Sequence, residues 1–202
     1  CNNTLTLEHE DPAMIARAKA AFLDGRLLAE FIPVPEDLQI VAGSVGDAVE
    51  QAKLVEQTEL NRVTHGYGNW YDFCVNEWGT KWDVDIQGLE YMEEDGVVSI
   101  SGYFESAWAP PIDAIRTYAS ANPNVSITLD YHEPGMAFVG RYIIEDGEEE
   151  DESYEYNETN SKTVRSLIGE DIDDLGWSEL EDRIYEQYGR GSLDDIQETF
   201  SN

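Results

Sequence analysis

Basic residues are scarce: 12 Lys and Arg stand against 43 Asp and Glu, and the 202-residue chain carries a formal charge of −31. Such a field repels nucleic acid and anionic membranes, which argues against direct binding to either. It attracts basic proteins over long range, most strongly at low salt. Cysteine is nearly absent. Cys1 and Cys74 form no C-x-x-C pair and no zinc spacing. The expectation is two reduced thiols in a cytosolic protein, with a Cys1–Cys74 disulfide as the other reading. No apolar run approaches the roughly 20 residues of a transmembrane helix, and no charged-then-apolar leader is visible. A phosphate-binding glycine loop is missing too, since Gly66-Tyr67-Gly68 lacks the preceding strand and the third glycine.

Apolar side chains, by contrast, are plentiful. Hydrophobic residues make up 41% of the chain, with five Trp and eleven Tyr, enough to bury a core at this length. Thr4-Leu5-Thr6-Leu7-Glu8 alternates as a half-buried strand. Asp11-Pro12 supplies an N-cap and a first-turn proline for a helix whose apolar face is Met14, Ile15, Ala18 and Phe22. A second helical pattern runs from Asp47 to about Asn61, with Val45, Ala48, Val49, Ala52 and Val55 on one side. Between Tyr67 and Gly79 lie Tyr67, Trp70, Tyr71, Phe73 and Trp78, in a stretch that Asn69 can cap and Gly79 can end. Strands follow at 82–91 and 97–106, turned by Glu94-Asp95-Gly96. Pro110-Pro111 opens a helix over 111–121, and strands at 125–131 and 137–144 complete the pattern. Without the insertion and the last strand, the order is β-α-β-β-α-β. That order predicts an α+β fold, a ferredoxin-like antiparallel sheet with helices on one face. The expected division is a ferredoxin-like domain over 1–147 with an inserted helical segment at 43–80, then an acidic helical extension over 148–202.

The extension begins where composition changes. From Glu145 to Glu158 there are nine acids and no base. Val164, Leu167, Ile168, Ile172 and Leu175 then form a helical stripe. Ser178 and Glu181 have capping-box spacing, and Trp177, Leu180, Ile184 and Tyr188 form a second stripe.

Four strings carry a family resemblance: Cys1-Asn2-Asn3-Thr4-Leu5-Thr6, the segment Tyr67 to Trp82 with its Trp78-Gly79-Thr80-Lys81-Trp82, the stretch Phe104-Glu105-Ser106-Ala107-Trp108-Ala109-Pro110-Pro111, and Glu133-Pro134-Gly135-Met136. Over residues 1–147 the chain resembles the YubB-like proteins of phages and conjugative plasmids. The resemblance implies a ferredoxin-like domain and a phage or plasmid context. It supplies no catalytic residue.

Chemical sites are weak on their own terms. Asp130 and His132 share a strand face while Glu133 enters a turn, so three ligands do not converge for zinc, and His132 reads as a surface histidine. Asp171-Ile172-Asp173-Asp174-Leu175-Gly176 resembles the start of an EF-hand loop, but Leu175 stands where an oxygen ligand is needed and Asp182 where a bidentate Glu is. Cys74 reads as a small core hydrophobe rather than a nucleophile. Trp70, Phe73, Trp78, Trp82 and Trp108 are expected in the core, with stacking on a sugar or base as the alternative for the tryptophans. No metal or cofactor is implied.

Charge is the remaining feature able to act. Glu170 to Glu198 holds eleven acids in 29 residues. On a continuous helix that is about one charge per 4 Å, against about 3.4 Å per phosphate along one DNA strand. The expectation is a non-enzymatic DNA mimic in the host cytoplasm. Its partner would be a basic, nucleic-acid-binding defence protein, met through Asp171, Asp173, Asp174, Glu179, Glu181, Asp182 and Glu186. The rival expectation is a structural or adaptor module whose acidity serves only solubility or salt adaptation.

Overall fold

The computed structural model of the chain describes residues 1–155. Strand β1 (Asn2–His9) leads into α1 (Pro12–Leu23) and a short α2 (Leu27–Phe31). An inserted segment follows with α3 (Ala48–His65), α4 (Trp70–Phe73) and a π-helical turn (Cys74–Trp78). The hairpin β2 (Ile86–Glu94) and β3 (Val97–Glu105) comes next, then α5 (Ile112–Ala121), β4 (Ser126–Glu133), β5 (Phe138–Glu145) and β6 (Glu148–Glu155). All six strands join one antiparallel sheet in the order β2-β3-β1-β4-β5-β6. The first four have the ferredoxin-like order. Central β1 carries β3 on one side and β4 on the other, with Leu5 opposite both Gly102 and Leu129.

Alternation sorts each strand into two faces. Leu5 and Leu7 of β1, Ile100 and Phe104 of β3, Ile127 and Leu129 of β4, and Tyr142 and Ile144 of β5 all face the helices. There they meet Ile15, Ala18 and Phe22 of α1 and Ile115 and Tyr118 of α5 in one core. The Asp11 carboxylate caps α1 by accepting from the Ala13 N–H at 2.9 Å. Full burial of a side chain such as Phe22 or Phe104 contributes about 1.5–3 kcal/mol.

Four sequence expectations need correction. The strand expected to start at Trp82 starts at Ile86, after a loop, and the register shifts between Ile86 and Leu89. Trp82 is half-exposed and Trp108 is 73% exposed, so neither is a core residue. Phe73 is buried as expected, and so is Trp78, whose indole N–H donates to the Ile32 carbonyl at 2.9 Å. In α3 the apolar stripe faces outward, with Val49, Val55, Leu60 and Val63 exposed. Its inner side is fixed by polar contacts, chiefly Asn61, whose amide donates to the Asp37 carbonyl at 2.7 Å and the Gly68 carbonyl at 3.2 Å. Last, the sheet continues past 147, the expected end of the ferredoxin-like domain. The acidic run at 148–155 is strand β6, paired with β5 along its whole length.

Candidate functional site

Two surfaces stand out. One is the acidic outer edge of the sheet. Asp146 and Gly147 both adopt positive φ (51° and 79°) and reverse the chain from β5 into β6. The same geometry, 51° and 86°, makes the Asp95-Gly96 turn. These values suit the tight primed turns that match strand twist. Six of the eight β6 residues are acids: Glu148, Glu149, Glu150, Asp151, Glu152 and Glu155. Odd-numbered β6 positions lie on the helix side. There the Arg116 guanidinium of α5 bonds Glu149 at 2.8–2.9 Å and Asp113 at 2.7 Å, and it holds the Glu149 carboxyl below the usual carboxylate range. Tyr131 donates to Asp151 at 3.2 Å, and burial pushes its phenol up to about 12. Its ring crosses Gly140, where an added Cβ would come within 2.3 Å of it. Even-numbered Glu148, Glu150 and Glu152 are exposed on the opposite side. The other edge strand, β2, is acidic as well, with Glu90, Glu93 and Glu94.

The second surface is a groove of about 340 Å³ between the β2 approach and the end of β3, lined by Trp82, Asp83, Asp85, Gln87, Glu105, Ser106 and Ala107. Asp83 is structural. Its carboxylate accepts from the N–H groups of Leu28 and Ala29 at 2.8 Å each, capping α2 from a distant loop, and from Val84 at 2.9 Å. Burial raises its pKa, and these three bonds oppose the rise. Lys81 lies 4.5 Å from the Trp82 ring centre and 5.8 Å from that of Tyr71. Trp108 follows Ala107 with a positive φ of 72°. Thr80 secures this loop: its hydroxyl donates to the Ala107 carbonyl at 3.1 Å and accepts from the Ala107 N–H at 3.0 Å.

The remaining candidates resolve as follows. Asp171, Asp173, Asp174, Glu179, Glu181, Asp182 and Glu186 lie outside the described residues, as does the EF-hand-like string. His132 is buried, not superficial, and desolvation lowers its pKa to about 4. Asp130 pairs with Arg141. Among the described residues no group of three or more His, Cys, Asp or Glu could hold a metal ion. Cys74 is buried, and desolvation, then the charge of Asp83, raises its thiol to about 12, so it stays protonated at neutral pH. No described helix is long and apolar enough to cross a membrane. The acidic strand and the exposure of Trp82 and Trp108 were not legible in the hydrophobic pattern. An Asp-Gly pair at 146–147, the same signal used at 95–96, marks the strand.

Strand order, register and one-sided helix packing define a ferredoxin-like domain. Residues 77–174 match the family model described as the ferredoxin-like domain in Api92-like protein. Among solved structures, the protein Api92 from Yersinia pseudotuberculosis is similar at 18% identity with a TM-score of 0.36, over 70% of this chain and 55% of that one. The match thus spans little more than half the length of Api92. No curated protein matches the chain.

Proposed function

We propose that the protein is a non-enzymatic, DNA-mimicking inhibitor of a basic host protein that binds nucleic acid. In this reading it is a YubB-like phage or plasmid product acting against host defence in the host cytoplasm. The observation that carries the reading is β6. Six of its eight residues are acids; Glu149 is held by Arg116, and Glu148, Glu150 and Glu152 form an exposed row on one face, about 7 Å apart, or about one charge for every two phosphates at about 3.4 Å along a DNA strand. The net charge of −31 and the seven tail acids from Asp171 to Glu186 extend the same field. A groove shaped for polyanions would accept such a row without contacts to individual bases.

The test is competition with DNA for the isolated partner across a salt series. Converting Glu148, Glu150 and Glu152 to Gln, together with Asn or Gln at the seven tail acids, keeps shape and removes charge. Inhibition should weaken steeply with salt and disappear in this variant. Inhibition that survives both treatments rules out mimicry.

The exposed Trp82 and Trp108 favour a second reading, an adaptor that docks a partner on these two rings. Trp82→Ala with Trp108→Ala then abolishes binding while the neutralised variant still binds. The mimic reading expects the reverse.

A further inference from the structure

Helix α3 faces the opposite way from most surface helices, which bury an apolar stripe and expose a polar one. Of its 18 residues only Asn61 is buried. The side toward the body is chiefly polar. Gln51 accepts from the Val45 N–H at 2.8 Å, Asn61 donates to the carbonyls of Asp37 and Gly68, and His65 lies 3.3 Å from the Asp37 carboxylate. Thr58 closes against Gly68, where an added Cβ would come within 2.9 Å of its methyl group. These contacts fix the rotation of the helix and hold its other side outward. That side carries Val49 (64% exposed), Val55 (52%), Leu60 (57%) and Val63 (87%), with Ala52 exposed among them. At about 3.6 residues per turn the five fall within one arc of about 140° and run along about four turns. Single exposed apolar residues need no explanation, but an ordered stripe of this kind marks an interaction surface.

Charge decides the kind of partner. Glu56 and Glu59 lie inside the same arc, close to the midpoint of the helix, and both are exposed. The cations of α3 are already engaged: Lys53 with Glu50 at 2.8 Å, Arg62 with Glu59, and His65 beside Asp37. None is left for Glu56. A second copy of the chain, laid stripe to stripe, would set Glu56 and Glu59 against the same pair, with a charge of −31 on each molecule, and is repelled. An apolar ridge with carboxylates at its centre instead fits a helix whose own apolar stripe is bordered by Lys or Arg. We propose that the outer face of α3, from Val49 to Val63, is a docking surface for a basic amphipathic helix of another protein. Apolar burial holds the pair, and Glu56 and Glu59 select the basic partner. The surface uses neither β6 nor the exposed tryptophans, so it stands or falls apart from both readings above.

The full chain and three synthetic peptide probes of equal length test it. One probe has leucine and lysine at helical spacing, one has glutamate in place of lysine, and one has serine in place of leucine. At about 0.15 M salt, fluorescence anisotropy should show the Leu-Lys probe binding at least tenfold more tightly than the Ser-Lys probe, and the Leu-Glu probe not binding. Leu60→Gln with Val63→Gln should abolish that tenfold preference without changing the melting temperature. Met92→Gln with Met136→Gln, at two exposed side chains elsewhere, should leave the preference intact. Glu56→Gln should weaken binding of the Leu-Lys probe several-fold. Equal affinity for the Leu-Lys and Ser-Lys probes means that the acidic field alone binds them. A preference that survives Leu60→Gln with Val63→Gln places the probe on another surface. A clear drop in melting temperature in that variant means that the two side chains pack within the chain. Dimers in sedimentation that the same variant abolishes assign the stripe to a second copy. Each of these four results overturns the proposal.

Discussion

Trp108 holds a φ of 72° while its indole is 73% exposed. A left-handed backbone in a residue other than Gly costs on the order of 1 kcal/mol, and little burial offsets it here. Trp108→Gly is therefore expected to leave the melting temperature unchanged or to raise it, with a gain of up to about 1 kcal/mol. Trp78→Ala removes a buried ring and its bond to Ile32 and should cost about 3–5 kcal/mol. Thermal melts of the two variants check both, and a clear loss of stability in Trp108→Gly would show that its indole packs. His132 sets a pH dependence. Its folded pKa of about 4 lies below the unfolded value of about 6.5. Between those values the unfolded chain binds more protons, so stability falls as pH drops from about 6.5 to about 4, by on the order of 3 kcal/mol. Urea midpoints across that range should fall less steeply in His132→Gln. Parallel slopes would mean that His132 does not titrate on unfolding.

At the scale of elements, both edges of the sheet carry carboxylates. An unpaired strand edge invites pairing with another chain, and like charges on it prevent this. Replacing Glu148, Glu150 and Glu152 by Thr keeps strand propensity and removes that repulsion. The variant is expected to associate edge to edge, seen as a rise in mass by sedimentation. A strictly monomeric variant at high concentration shows that charge is not what protects the edge. The elements also show how far sequence reading reaches. β1, α1, β3 and α5 were legible because alternation, Asp11-Pro12 and Pro110-Pro111 each mark a local preference that the packing keeps. β6 was not, because a run with six acids in eight has no apolar alternation; its place comes from the Asp146-Gly147 turn and from backbone pairing with β5. Trp82 and Trp108 misled for a related reason, since hydrophobicity says nothing of which side of a loop a ring takes. In α3 the apolar stripe was legible, but Asn61 and its two carbonyl partners decided the orientation. Of the candidate site, only the general acidity could be read.

For the molecule as a whole, a charge of −31 repels itself, and folding brings the carboxylates closer together. Raising salt from about 0.01 M to about 1 M shortens the screening length from about 30 Å to about 3 Å. The melting temperature should therefore climb over that range, and a flat profile would mean that the folded chain places its charges too far apart to matter. The position of β1 has a consequence in time. It is the first strand in sequence and sits in the middle of the sheet, where Thr6 meets Ser101 across 95 intervening steps of chain. Closing such a loop is slow compared with closing a two-residue turn. The hairpins β2–β3 and β5–β6, each tied by an Asp-Gly turn, can form early, but they remain two separate ribbons until β1 bridges them through β3 and β4. In pulse-labelling during refolding, the amides of both hairpins should gain protection before those of β1, and simultaneous protection would contradict this order. While the ribbons wait, their charged outer strands keep neighbouring chains apart, so the acids that mark the finished surface also guard the unfinished one.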